Sequence, residues 1–199
     1  MTEMLYEILD GNTGMLDVPR QIHLCHDLIE TADLDGVIVE FGCYEGQTSM
    51  VLRILANGRQ VHVYDSFQGL PSRQPVDGDF PVFKEGALRT EEETLRNNFQ
   101  HRGLVPPVIH RGFFRDLSPS DVPSRISLAF IDGDFYDSIT DALRLVFDKV
   151  VPGGVILIDD YGHPELPGVK TAVDLFLALR SCTHAKAKGC NMYRITKPV

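Results

Sequence analysis

A chain of 199 residues, 43% of them hydrophobic, is long enough for one domain with a sizeable core. Its formal charge of -9 argues against a nucleic-acid or anionic-membrane binder, which would need clustered Lys and Arg. It has no run of eighteen apolar residues and no basic-then-apolar leader. Cys25, Cys43, Cys182 and Cys190 lack paired spacings, so a soluble, reduced, cytoplasmic protein is expected.

Residues 1–35 read as an N-terminal helical cap. Asp10-Gly-Asn-Thr-Gly14 is turn-rich, a candidate flap or a simple tail. Ile22, Leu24, Leu28 and Ile29 then recur at roughly helical spacing, with a stop near Asp35-Gly36. Val37-Ile38-Val39 is β-branched, as a strand covered on both faces requires, and Glu40 breaks the pattern at its end. Gly42 and Gly46 permit a tight turn and close approach of a ligand, and Gln47 to Leu55 reads as the following helix. Strand, glycine turn and helix open a nucleotide-binding unit. A second strand, Val61 to Tyr64, ends at Asp65, which is placed to accept hydrogen bonds from both hydroxyls of a ribose.

The Pro-, Gly- and Asp-rich stretch after Pro71 is too long for an ordinary connection. Thr90-Glu91-Glu92-Glu93 reads as a capping box opening a helix with Leu95 and Phe99. Residues 71–104 are therefore an inserted lid. Pro107 to His110 returns as a third strand, and the turn after it carries Gly112, Phe113 and Phe114. Leu128 to Ile131 and Val155 to Ile158 are further strands. Helices are expected over Thr140–Val150 and Val169–Arg180, a turn at Pro152-Gly153-Gly154, and a closing strand near Met192 to Ile195. The alternation specifies one α/β domain over residues 1–199, a doubly wound, mostly parallel, Rossmann-like sheet.

Two neighbouring strands end in acids, Asp132 with Asp134 and Asp159 with Asp160. Four carboxylates brought together repel unless a cation sits among them, and an all-oxygen set suits Mg²⁺. The alternative is that Asp134 and Asp159 cap turns in water. His163 follows closely enough to be a substrate contact or base, whereas His62 and His110 fall inside strands and read as core residues.

In order along the chain, Val39-Glu40-Phe41-Gly42-x-x-x-Gly46, Tyr64-Asp65-Ser66-Phe67-x-Gly69-Leu70-Pro71, Gly112-Phe113-Phe114-x-Asp116, Ile131-Asp132-Gly133-Asp134-x-Tyr136-x-Ser138 and Gly153-Gly154-x-x-x-x-Asp159-Asp160-Tyr161-Gly162 resemble the macrocin O-methyltransferase family, over about Leu16 to Leu179. The resemblance implies transfer of a methyl group from S-adenosylmethionine, assisted by Mg²⁺, to a hydroxyl of a sugar or related small molecule with vicinal hydroxyls. A homodimer is plausible from the family. It makes Glu40, Gly42 and Gly46 the turn around the methionine portion and Asp65 the ribose acceptor. Ser66, Gly112, Phe113 and Asp132 border the cofactor, Asp132, Asp159 and Asp160 are metal ligands, and Asp134 is the general base. Ser138-Ile139 stands where the family usually has Ser-Thr, which leaves the sugar open.

Two other readings remain: a metal-dependent catechol or phenol O-methyltransferase, and a non-catalytic partner subunit that only binds S-adenosylmethionine. A nicotinamide oxidoreductase is disfavoured, because Gly42-Cys43-Tyr44-Glu45-Gly46 lacks a closely spaced Gly-x-Gly.

Overall fold

In the computed structural model, residues 16–198 apart from 179 and 181 are described. The β-branched run forms strand β1 (Val37–Phe41), which pairs in parallel with β2 (Val61–Asp65) on one side and β4 (Ile126–Ile131) on the other. Beyond β2 lies β3 (Val108–Arg111). Beyond β4 lie β5 (Val150–Ile158), β7 (Tyr193–Thr196) and β6 (Thr183–Lys186), giving the order β3-β2-β1-β4-β5-β7-β6. The first five strands are parallel, and β7 and β6 close the sheet antiparallel. The sequence shows β7 but conceals β6, whose four residues are all exposed and carry no apolar pattern.

Side chains alternate across a strand, so each strand feeds two cores. Val39, Phe41, Ile131 and Ile158 pack under α4 (Tyr136–Val146) and α5 (Pro167–Leu177). Ile38, Leu128, Phe130 and Leu157 pack under α1 (Val18–Glu30), α2 (Gln47–Ile54) and α3 (Glu92–His101). Each fully buried side chain of the class of Phe41, Phe130 or Leu128 contributes about 1.5–3 kcal/mol of transfer free energy.

Several boundaries move, for reasons local sequence does not carry. Helix α4 starts at Tyr136 rather than Thr140, because the carboxylate of Asp77, from the long loop, accepts the Tyr136 N–H at 2.7 Å and caps the helix from a distance. Pro152-Gly153-Gly154 lies inside β5 as an irregularity, where the Gly153 N–H donates to the Lys197 carbonyl and the Lys197 N–H to that of Gly154, both at 3.0 Å. The capping box at Thr90 does not form; α3 begins at Glu92, and no side chain caps it. On α1, Leu24 and Leu28 are buried, but Ile22 and Ile29 are exposed and do not belong to its packing face.

The two ends of α1 are tied differently. Arg59 donates to the Leu28 and Thr31 carbonyls at 3.0 Å, and Arg194 donates to Asp27 at 2.9 Å and Glu30 at 2.8 Å. At the other end the Asp17 carboxylate caps the helix by accepting the Arg20 N–H at 3.0 Å. The turn-rich Asp10–Gly14 lies outside the described residues.

The long loop is not a loose flap. Its ends meet through the Leu70 N–H donating to the Ala87 carbonyl at 2.8 Å and the Gly86 N–H to that of Leu70 at 2.9 Å. Inside, Arg73 pairs with Asp79 and donates to the Phe80 and Phe83 carbonyls at 3.3 Å. This is an Ω-type loop with its own packing. Its buried Asp77 sits so close to Gly168 of α5 that a Cβ there would meet Asp77 Oδ1 at 1.8 Å.

Candidate active site

The strand register sets the site. Phe41 is level with Tyr64 and Ile131, and Ile131 with Ile158, so the next residues, Gly42, Asp65, Asp132 and Asp159, stand in one row at the carboxyl ends of four adjacent strands. The row straddles β1 and β4, where the chain order reverses, the position at which open α/β sheets bind ligands. A cavity of about 330 Å³ opens there, floored by Gly42, Asp65, Asp132, Asp134, Asp159 and Asp160. Leu70, Phe83 and Leu88 of the Ω loop, with Phe113, Phe114 and His163, form its walls. A second cavity of about 290 Å³ adjoins the other side of the glycine turn, along Tyr44, Gln47 and Thr48.

Gly42 holds a left-handed backbone (φ +86°) against β4; a Cβ would meet the Asp132 carbonyl oxygen at 1.8 Å. Gly46 (φ +85°) begins α2, and a side chain there would press on Leu95. Neither Gly46 nor Gly112 lines either of these two cavities, whereas Phe113 lines the first. Asp65 staples the turn: its Oδ2 accepts the N–H groups of Cys43 and Tyr44 at 3.0 Å, and its Oδ1 that of Phe67 at 2.8 Å. A carboxylate has about four acceptor positions. Three are taken, leaving room for about one further donor rather than the pair of ribose hydroxyls the sequence suggests. Ser66 is buried and shapes the next turn, donating to the Gly69 carbonyl at 3.1 Å and accepting the Gln68 N–H at 3.0 Å.

Glu40 shares the strand face of Ile38 and points under α2, away from both cavities. It is fully buried and accepts a short hydrogen bond from the Ser49 hydroxyl, while its Oε1 has no hydrogen-bond partner. Burial, eased by Ser49, pushes its carboxyl up to about 8.

Oxygens of Asp132, Asp134 and Asp160 lie within 4.8 Å of one another, near enough for one cation. Asp134 (φ 59°) and Asp160 (φ 56°) both sit on left-handed backbone, which Asp tolerates better than most side chains. Asp159, 2% exposed, turns its Oδ2 to Arg20 at 2.9 Å, and its Oδ1 is buried without a hydrogen-bond partner. Desolvation, then repulsion by Asp160 and Asp159, pushes Asp134 up to about 8. Burial and Asp160 push Asp159 up to about 7, with Arg20 opposing; Asp132 is driven well above the carboxylate range by desolvation and by Asp159, Asp134, Asp160 and Glu40. A divalent cation would answer the repulsion among Asp132, Asp134 and Asp160, so these residues fit one, while Asp159 lies outside that close group.

The sign of a stability effect follows. Glu40, Asp134 and Asp159 hold protons when folded up to pH 7–8 but ionise near pH 4 when unfolded. Their contribution is therefore full below about pH 4 and lost as pH rises through 7–8. The melting temperature of ligand-free protein is expected to fall between pH 5 and pH 8, and Mg²⁺ to raise it more at pH 8. A melting temperature that rises across this window would remove the assignment.

Arg20 has no signature in the sequence apart from Asp17-Val-Pro-Arg at a helix start, and its reach across to β5 is a tertiary fact. His163 lines the cavity at 6.2 Å, ring to ring, from Phe83. His62 and His110 are half-buried, 3.0 Å apart on β2 and β3, and outside both cavities.

The family model described as Macrocin-O-methyltransferase (TylF) matches residues 14–188. The chain belongs to this family. Among curated relatives, 35% identity over 148 residues, 67% of this chain and 57% of the other, links it to the 8-demethyl-8-(2,3-dimethoxy-alpha-L-rhamnosyl)-tetracenomycin-C 4'-O-methyltransferase of Streptomyces olivaceus. Identity is 30% with the demethyldecarbamoylnovobiocin O-methyltransferase of Streptomyces niveus, over 82% of this chain and 67% of that one. The chain thus spans between 57% and 67% of the length of these two relatives. The fold matches that of the O-methyltransferase NovP with a TM-score of 0.83 at 21% identity, over 99% of this chain and 98% of that one. It also matches an O-methyltransferase from Bacillus cereus solved with SAH, at a TM-score of 0.61 and 17% identity, over 98% and 91%. Among the described residues, no helix is long and apolar enough to cross a membrane.

Proposed function

We propose that this macrocin-O-methyltransferase family member transfers a methyl group from S-adenosylmethionine to a hydroxyl of a sugar or related small-molecule diol, assisted by Mg²⁺. The observation that carries this reading is the cluster of Asp132, Asp134 and Asp160 beside the glycine turn, in a cavity floored by the ends of four strands. Membership of a family whose relatives are named for methylating sugar-bearing natural products supports it.

When bound, the sulfonium would supply an already activated methyl group, and Mg²⁺ would lower the pKa of the attacking hydroxyl. The rest falls to the chain. Asp65 locks the glycine turn and offers its remaining acceptor position to a ribose hydroxyl. Phe113 and Phe114 offer apolar surface at the cavity wall. Asp132 and Asp160, with Asp159 next to them, would hold the cation, and Asp134, near neutrality in proton affinity, would take the hydroxyl proton as the O–CH₃ bond forms and the S–CH₃ bond breaks to release S-adenosylhomocysteine. The apolar Ω-loop wall keeps water from the reacting atoms.

The test is transfer of labelled methyl from S-adenosylmethionine to a panel of glycosides and catechols bearing adjacent hydroxyls, with Mg²⁺ or with EDTA. Mg²⁺-dependent labelling of a glycoside is expected. Labelling confined to catechols would move the reading to a phenol methyltransferase, and S-adenosylhomocysteine binding without transfer to any acceptor would favour a non-catalytic subunit.

A further inference from the structure

Arg20 is the sole Lys or Arg among the described residues lining the acidic cavity, and it comes from the first turn of α1 rather than from the sheet. Its Nη1 lies 2.9 Å from Asp159 Oδ2 and 3.3 Å from Asp160 Oδ1. Asp160 is therefore shared, contacted by the guanidinium through Oδ1 while an oxygen of the same carboxylate belongs to the cluster able to hold a cation. Its Oδ1 faces the guanidinium at 3.3 Å, so a cation that draws in both oxygens has to loosen that contact. The contact is mechanically placed as well. The far end of α1 is fixed by Arg59 and Arg194, while the near end is held by the Asp17 cap and by Arg20 against β5.

We propose that Arg20 is the site's internal counter-cation, a positioning residue whose contact with Asp160 a divalent ion displaces, so that metal loading is transmitted to the first turn of α1. The inference rests on the metal reading given above. Asp159 stays with Arg20 through its Oδ2 and presents its unpartnered Oδ1 on the other side. A positive charge this close to two ligand carboxylates weakens the site for any second cation. Removing it should tighten binding on the order of tenfold, as expected for one like charge at partly screened distance.

The experiment is calorimetric titration of Mg²⁺ into wild type, Arg20→Ala and Arg20→Lys, with S-adenosylhomocysteine titrated into each. Hydrogen exchange of α1 amides is followed in the wild type with and without Mg²⁺. Expected are roughly tenfold tighter Mg²⁺ binding by Arg20→Ala, a few-fold tightening by Arg20→Lys, and Mg²⁺-dependent exchange confined to the near end of α1. Should the alanine variant not fold, Arg20→Lys decides: it keeps the charge and gives up the guanidinium's reach. Equal or weaker Mg²⁺ binding in the variants, or α1 exchange indifferent to Mg²⁺, overturns the proposal alone. Wild type that binds S-adenosylhomocysteine but no Mg²⁺ removes the metal reading with it and leaves methyl transfer standing.

Discussion

Asp134→Asn is expected to lower methyl transfer by about 10²- to 10⁴-fold, the range of a positioned general base, with S-adenosylhomocysteine affinity little changed. The substitution is nearly isosteric, and Asn tolerates the left-handed backbone that Asp134 adopts, so the fold has no reason to shift. What is lost is an oxygen able to take a proton near neutrality. Because Asp134 also lies among the cation-ready oxygens, the experiment separates two roles. If Asp134 is the base, raising Mg²⁺ does not restore turnover. If it is a ligand, Mg²⁺ binding weakens and excess Mg²⁺ restores the rate. Unchanged turnover would remove Asp134 from the chemistry altogether.

Gly42→Ala should cost the fold about 2–5 kcal/mol, combining the strain of a left-handed alanine with forced overpacking. The added Cβ would fall 1.8 Å from the Asp132 carbonyl oxygen, which is backbone and cannot swing away. The end of β4 must then shift, and Asp132 and Asp134 with it. A drop in melting temperature of roughly 5–15 °C is expected for a chain of this size, together with loss of Mg²⁺ and S-adenosylhomocysteine binding. Gly58→Ala is the control: it shares the positive φ (+83°) but has nothing within 4 Å of the added atom, so it isolates the backbone cost. If the two variants melt alike, the contact with Asp132 is not what makes Gly42 necessary.

The sheet, the glycine turn and the acidic strand ends were legible because each is written locally, as a β-branched run, a pair of glycines or an Asp after apolar residues. Asp132 and Asp159 are neighbours because β4 and β5 are, and alternation of strands and helices implies that much. The start of α4 was not legible, since its cap is Asp77, 59 residues earlier. Nor was Arg20 beside Asp159, 139 residues away in sequence. Glu40 reads the same whether it faces the ligand or the helix beneath; strand parity with Ile38 decides for the helix. Asp65 is where expected, yet backbone donors already occupy most of its acceptor capacity, and no spacing rule could show that.

The Ω loop bears on how such a protein changes its acceptor over evolutionary time. It is fastened at its neck by Leu70 with Gly86 and Ala87, and at its middle by Asp77 on α4, leaving Val82 and Leu88 exposed at the cavity mouth. Leu70, Phe83 and Ala87 tie the loop to the core beneath, whereas Val82 and Leu88 stand out from it. Val82 and Leu88 can thus be exchanged without disturbing the strands that hold the acids, so the rim of the cavity and its floor can vary independently within one chain.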